Sequence, residues 1–145
     1  MRERLTPGLV FLCELRAKVR DPLVFAWPSG VARRIVELDA VECSGRLDAS
    51  LAGSAAADWL QIIPEQATGH IDVRFTLRTS DHALIFVQYY GRMQLTSHGI
   101  GHLYSAPRFE TADARYSWLN AIQAVGKGEF DANAREVRYV LFEVT

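Results

Sequence analysis

Polar and aromatic side chains recur on the segments of this sequence that have the clearest strand pattern. Asp58 stands directly before Trp59, and Asp72 and Arg74 alternate with apolar residues. A carboxyl group in a partly dry cavity beside an aromatic ring has its pKa raised by desolvation, which suits a general acid or base. The planar guanidinium of Arg74 would bind a carboxylate or enolate oxygen. These residue types favour proton transfer on a small oxygenated molecule.

The candidate residues fall into two groups by expected role. Tyrosine hydroxyls can donate a proton or a hydrogen bond to developing charge, so the candidate catalytic residues are Asp58, Arg74, Tyr90 and Tyr116. Neighbouring side chains on the same segments would line the binding site, and these are Trp59, Asp72, Thr76, Gln88, Trp118 and Asn120. A plain surface ion pair of Asp72 with Arg74, and a core position for both tryptophans, are the structural alternatives.

Two histidines four residues apart, His98 and His102, raise the question of a metal site. Gly99 and Gly101 make a helix costly by roughly 1 kcal/mol each, and no third ligand stands at a suitable spacing. We interpret the segment as a glycine-rich loop that covers a pocket, and we expect no metal and no cofactor. Residues 126–128 are interpreted as a turn, without the frame of a phosphate loop.

Alternation of apolar and polar residues predicts a series of short strands. It is clearest at residues 69–79, which a turn at 79–82 joins to the β-branched and aromatic run 83–90 as a hairpin. In a barrel, one face of a strand lines the interior, so the polar face of 69–79 would form a pocket. Further strands are predicted at residues 9–19, 32–41, 46–51 and 137–144, with a turn at 43–45. Residues 23–27 are interpreted as an extended connection or a short strand, and residues 105–109 as extended.

Residues 115–125 fit two kinds of element. The segment fits a long strand, whereas Trp118, Leu119, Ile122 and Val125 would share one face of a helix. The apolar pattern alone leaves this choice open.

Four motifs occur in one order along the chain: Asp-Trp at 58–59, Asp-Val-Arg at 72–74, Thr-x-Asp at 79–81 and Tyr-x-Trp-Leu-Asn at 116–120. In this order and spacing the chain resembles the domain of unknown function 3237 (DUF3237) family over most of its length. The resemblance implies a calycin-like or lipocalin-like β-barrel, favours strand structure for residues 118–125, and implies no named activity. Ala55 and Ala56 replace an expected glycine pair and His82 an expected glycine, so we expect the loop near Asp58 to differ.

Length and charge limit the classes of protein to which this chain can belong. The 145 residues fit one domain, 1–145, and the 49% hydrophobic content is typical of a folded globule. A net charge of −1 provides no field for nucleic acid or anionic lipid. With no bilayer-spanning run and no signal-peptide core after residues 1–4, we expect a cytoplasmic protein without membrane partners. Cys13 and Cys43 are expected to be buried free thiols.

These observations predict a mostly all-β fold, an antiparallel small β-barrel with short helical turns at most. The expected function is binding of a small, partly apolar oxygenated metabolite and its cofactor-free isomerisation, dehydration or cyclisation by proton transfer. A non-catalytic carrier or sensor barrel is the alternative. A third interpretation is a homodimeric interaction module, because both faces of residues 83–90 are largely apolar and an exposed face would need a partner.

Overall fold

Strands occupy most of the chain, as the alternation predicts. The computed structural model describes residues 1–145. It contains two 3-10 helices, the first at Pro64–Gln66 and the second at Ala114–Ala121. No helix is long and apolar enough to cross a membrane. The strands are β1 (Leu9–Val19), β2 (Leu23–Ala26), β3 (Ala32–Gly45), β4 (Ala49–Leu51), β5 (Ala57–Ile63), β6 (Thr68–Thr79), β7 (Leu84–Thr96), β8 (Gly99–Ser105), β9 (Arg108–Glu110), β10 (Ala124–Asp131) and β11 (Glu136–Val144).

Eight strands close into an antiparallel ring in the order β6-β5-β3-β1-β11-β10-β8-β7, and β7 pairs again with β6. The closing pair is the predicted hairpin, whose register runs over eleven residue pairs from Thr68↔Gln94 to Arg78↔Leu84. The short strands add to the ring: β2 pairs with β3, β4 lies between β3 and β6, and β9 pairs with β7. The prediction of an antiparallel all-β barrel is confirmed.

The interior of the barrel is apolar, and β6 shows why. Its residues Ile71, Val73, Phe75 and Leu77 are buried, whereas the polar residues between them face outward. Burial of a large apolar side chain contributes about 1.5 to 3 kcal/mol, and an unpaired charge in the same place would be strongly unfavourable. The sheet therefore turns the polar face of β6 to the outside, opposite to the expectation that this face lines a pocket.

The segment that fitted both helix and strand is helical in its first part. The second 3-10 helix ends at Ala121 and β10 begins at Ala124, so the strand predicted at residues 115–125 is wrong for most of its length. The cause is local hydrogen bonding: Asp113 Oδ1 accepts from the Arg115 N–H at 2.9 Å and starts the helix.

The second 3-10 helix closes one end of the barrel. Its residue Leu119 is completely buried and belongs to the continuous hydrophobic core. Asn120 fixes the helix to the chain after β9, because its side chain accepts from the Thr111 N–H at 2.8 Å and donates to the Thr111 carbonyl at 3.0 Å. The β6–β7 turn lies at the same end, where Tyr116 contacts Asp81.

Three predicted turns or loops are parts of strands instead. Residues 43–45 end β3, residues 99–102 begin β8, and residues 126–128 lie within β10. Glycine at position 128 is explained by close strand approach, since a Cβ there would lie 2.5 Å from the Arg138 carbonyl oxygen and 2.7 Å from the Tyr139 ring. Gly128 thus allows close packing within the sheet, which the sequence pattern does not distinguish from a turn.

Candidate functional site

A cavity of about 190 Å³ lies inside the barrel at the end opposite the second 3-10 helix. Its walls are mainly apolar, because 14 of its 19 lining residues are hydrophobic. An apolar cavity of about 150 Å³ in another protein is large enough for benzene. This cavity is therefore suited to a molecule about the size of one six-membered ring.

Asp58 is the acidic side chain in the cavity wall. Its Oδ1 accepts a hydrogen bond from the Asp72 N–H at 3.0 Å. At this point the pairing of β5 with β6 is interrupted: it includes Asp58↔Val73 and resumes at Gln61↔His70. The carboxyl group thus takes the place of a backbone acceptor, and this hydrogen bond fixes its orientation.

The surroundings of Asp58 raise the pKa of its carboxyl to about 7. Burial is the largest cause, and the negative charge of Asp72 acts in the same direction. The hydrogen bond from the Asp72 N–H and the positive charge of Arg33 oppose the rise. A carboxyl with this pKa is present in both protonation states near neutral pH, as a general acid or base requires.

Two tyrosines line the cavity together with Asp58. The rings of Tyr89 and Tyr139 meet edge to face with centroids 5.9 Å apart, and Phe75 packs against Tyr89 at 6.2 Å. Burial raises the pKa of both phenols, and the nearby charge of Asp58 adds to the rise. Both hydroxyls therefore stay protonated at neutral pH and can donate a hydrogen bond to a developing negative charge.

Three arginines, Arg20, Arg34 and Arg135, contribute to the cavity lining near its entrance. Arg20 pairs with Asp39 at 2.9 Å, and Arg135 pairs with Asp21 at 2.6 Å. Arg34 takes part in none of the ion pairs of the chain. The entrance therefore carries one positive charge that no carboxylate of the protein neutralises.

Most of the predicted site residues lie on the outer face of the sheet. Arg74 stacks on the Trp59 ring, with its guanidinium carbon 4.7 Å from the ring centroid. Across the β6–β7 pair, Arg74 is opposite Gln88 and Asp72 is opposite Tyr90. The structure thus brings one group of predicted residues together outside the cavity: Trp59, Asp72, Arg74, Thr76, Gln88 and Tyr90.

The three predicted residues on the second 3-10 helix lie at the closed end of the barrel. The Tyr116 hydroxyl donates to Asp81 at 2.9 Å, Trp118 stacks under Arg46 at 5.0 Å, and Asn120 holds the helix in place. Along β6, Thr79 at the closed end is six residues from Val73, the strand partner of Asp58. At about 3.3 Å per residue, this is a distance of about 20 Å. Of all the predicted site residues, Asp58 alone lines the cavity.

The polar cavity residues that the sequence candidates missed include Arg34, Tyr89 and Tyr139. The signal for the tyrosines was present, because Tyr89 continues the inward alternation of Val87, and Tyr139 alternates with Leu141. Arg34 had no such signal, since an arginine on the inner face of a strand end has the same local pattern as a surface arginine.

No group of three or more His, Cys, Asp and Glu side chains lies close enough together to hold a metal ion. Cys13 and Cys43 are free and buried, as predicted.

Solved structures with the same fold come from bacteria and a fungus. A β-barrel-like protein of Acinetobacter baumannii is 22% identical with a TM-score of 0.84, covering 97% of both chains. A protein of unknown function from Rhodopseudomonas palustris is 20% identical with a TM-score of 0.85, covering 97% of this chain and 99% of that one. An enzyme from Penicillium herquei is 19% identical with a TM-score of 0.75, covering 96% and 95%. At these identities the likeness shows the fold alone.

A comparison with curated proteins finds no match. The family model described as "Protein of unknown function (DUF3237)" matches residues 7–144, which is nearly the whole chain and agrees with the resemblance seen in the motifs. With this match and the closed barrel, the chain belongs to the DUF3237 family.

Proposed function

We propose that the barrel binds a small, partly apolar oxygenated molecule and catalyses proton transfer on it, with Asp58 as the general acid and base. The single observation that carries the proposal is the position of Asp58: one carboxyl in an otherwise mainly apolar cavity, with its pKa raised to about 7 by burial. Isomerisation, dehydration and cyclisation can each proceed by proton transfer to and from such a group. A fold relative described as an enzyme is compatible with catalysis by this type of barrel.

The reaction begins with the ionised Asp58 carboxylate. It removes a proton from a carbon next to a carbonyl group, so that the C–H bond breaks and an O–H bond forms on Asp58. The electron pair moves to the carbonyl oxygen and makes an enolate. Return of the proton to a different atom of the same molecule gives an isomer. Alternatively, Asp58 gives the proton to a hydroxyl group on the β-carbon; the C–O bond breaks, water leaves, and the enolate electrons form a C=C bond as the carbonyl is restored.

Tyr89 and Tyr139 support this step by hydrogen bonding to the enolate oxygen. Their hydroxyls remain protonated because burial raises both pKa values. Donors that are already oriented in a site with little water stabilise developing charge more than donors in water do. The two tyrosines therefore act as hydrogen-bond donors, and Asp58 is the group that exchanges the proton.

Deuterium exchange into cyclohexanone tests the proposal with a neutral one-ring ketone. Proton NMR in buffered heavy water measures the loss of the signal from the carbons next to the carbonyl. The wild-type protein should accelerate exchange, and Asp58→Asn should reduce the acceleration by about 100-fold or more, as expected for loss of a general base. Glu65→Gln makes the same carboxyl-to-amide change at an exposed position of the first 3-10 helix and is the matched control. Equal rates with wild-type protein and Asp58→Asn would refute the role of Asp58.

A non-catalytic carrier is the second candidate, and the mainly apolar lining of the cavity favours it. Native mass spectrometry of the purified protein, followed by denaturation and analysis of small molecules, separates the two functions. A carrier would release its bound compound unchanged after incubation with the protein. An enzyme would convert the recovered compound, and conversion would depend on Asp58.

A further inference from the structure

Arg34 and Asp58 lie on the same face of neighbouring strands. Val36 of β3 is the direct partner of Asp58 of β5, and Arg34 is two residues from Val36 along β3. Residues in this diagonal relation on an antiparallel pair are about 7 to 8 Å apart. Both side chains line the cavity, so a single bound molecule can contact the carboxyl group and the guanidinium at the same time.

The charge of Arg34 is available to a ligand. Its neighbour Arg33 differs in this respect, because Arg33 Nη1 donates to the Trp59 carbonyl oxygen at 2.7 Å. The other two arginines at the entrance are paired with Asp39 and Asp21. A guanidinium holds a planar carboxylate through two parallel hydrogen bonds, which makes arginine selective for this group.

The remaining cavity wall restricts the body of the ligand. Between the two polar ends the lining is mainly hydrophobic, and the volume of about 190 Å³ corresponds to roughly one six-membered ring. A neutral molecule of this size would form no ion pair with the guanidinium, and the body of a much larger anion would not fit within the cavity.

We propose that Arg34 is the anion-recognition residue of the cavity, and that the natural ligand is a carboxylate with an apolar body about the size of one ring. The carboxylate binds Arg34 at the entrance, and the apolar body fills the cavity towards Asp58. The inference rests on the proposed function only in taking the end of the ligand at Asp58 as the reacting end.

Benzoate and benzamide are matched probes, because they share the ring and differ in charge. Isothermal titration at pH 6, where benzoate is ionised, should show that the wild-type protein binds benzoate about tenfold more tightly than benzamide, as one charge-assisted hydrogen bond predicts. In Arg34→Gln this preference should fall to about twofold or less, while benzamide binding is retained and shows that the cavity is intact. Arg92→Gln removes an exposed charge from β7 and should keep the preference.

Three results would overturn the inference: no benzoate binding at millimolar concentration, equal binding of the two probes to wild-type protein, or an unchanged preference in Arg34→Gln. The cyclohexanone exchange assay with Asp58→Asn and the benzoate assay with Arg34→Gln separate the proposed function from this inference. If cyclohexanone exchange is absent but the benzoate preference depends on Arg34, anion recognition stands and proton transfer fails. If exchange depends on Asp58 but Arg34→Gln does not change the benzoate preference, proton transfer stands and anion recognition fails.

Discussion

Replacing Asp58 with Asn should stabilise the protein at pH 8 and change its stability little at pH 4. Well below pH 4 the carboxyl is protonated in both the folded and the unfolded chain, so it adds no pH dependence. As pH rises from 4, the unfolded chain loses this proton, whereas the folded protein keeps it until the pH passes about 7. The unfolded state binds fewer protons over this interval, so the free energy of unfolding falls with rising pH.

The size of the effect follows from the pKa in the two states. The carboxyl changes from an ordinary value of 3.8 to about 7 on folding. Each pKa unit of this rise lowers the free energy of unfolding at high pH by about 1.4 kcal/mol. Partial exposure of the carboxyl reduces the total, so we expect Asp58→Asn to recover about 2 to 4 kcal/mol at pH 8. Asp72 and Arg33 are the charged groups that act on the pKa of Asp58, and Arg34, Tyr89 and Tyr139 line the same cavity. Asp72 and Arg33 act in opposite directions, so burial determines the sign.

Urea unfolding of wild-type protein and Asp58→Asn at pH 4, 6 and 8 measures the difference, and subtraction cancels the other titrating groups. The variant should gain stability progressively between pH 4 and 8 with an unchanged m-value. Asp39→Asn is the control, because Asp39 is in an exposed ion pair with Arg20 and should show no such gain. A difference between wild type and Asp58→Asn that stays constant with pH would refute the raised pKa.

The other predictions concern the closed end, the strand contacts and the outer surface. Leu119→Ala should lower the unfolding free energy by about 2 to 5 kcal/mol in urea titrations, because Leu119 is fully buried; a loss below about 1 kcal/mol would show that the second 3-10 helix is not part of the core. Gly128→Ala should destabilise by about 1 to 3 kcal/mol and weaken benzamide binding, because its Cβ would press on Tyr139; unchanged binding would contradict this. If residues 83–90 contribute to a homodimer, light scattering should show a dimer of the wild-type protein. Leu84→Lys, at a 50% exposed position, should convert this dimer to a monomer. A monomeric wild-type protein would reject the homodimer.

The sequence was informative about the fold because barrel strands have a simple period. Alternation along β6 and β7 predicted the hairpin that closes the ring. The prediction was wrong where competing local interactions decide the structure. At residues 115–121, hydrogen bonds of Asp113 and Asn120 give a helix in place of the expected strand. At residues 126–128, glycines serve close strand packing rather than a turn.

The candidate site was harder to predict, because it depends on which face of each strand points inward. Chemistry-bearing residue types identified Asp58, yet the same reasoning selected Arg74, which lies on the outer face of the sheet against Trp59. The residues that share the cavity with Asp58 come from strands that are separate from β5 in the sequence: Arg34 from β3 and Tyr139 from β11. Their proximity depends on sheet order and register, and no local sequence pattern contains either.

The second 3-10 helix has a kinetic consequence for any ligand. With Leu119 buried at that end and the cavity at the other, entry and departure use the same opening. A cavity of about 190 Å³ has room for one small molecule at a time. A new ligand can therefore enter only after the previous one has left, so slow release would limit ligand exchange, and a compound bound at the arginine-lined entrance would prevent both entry and release.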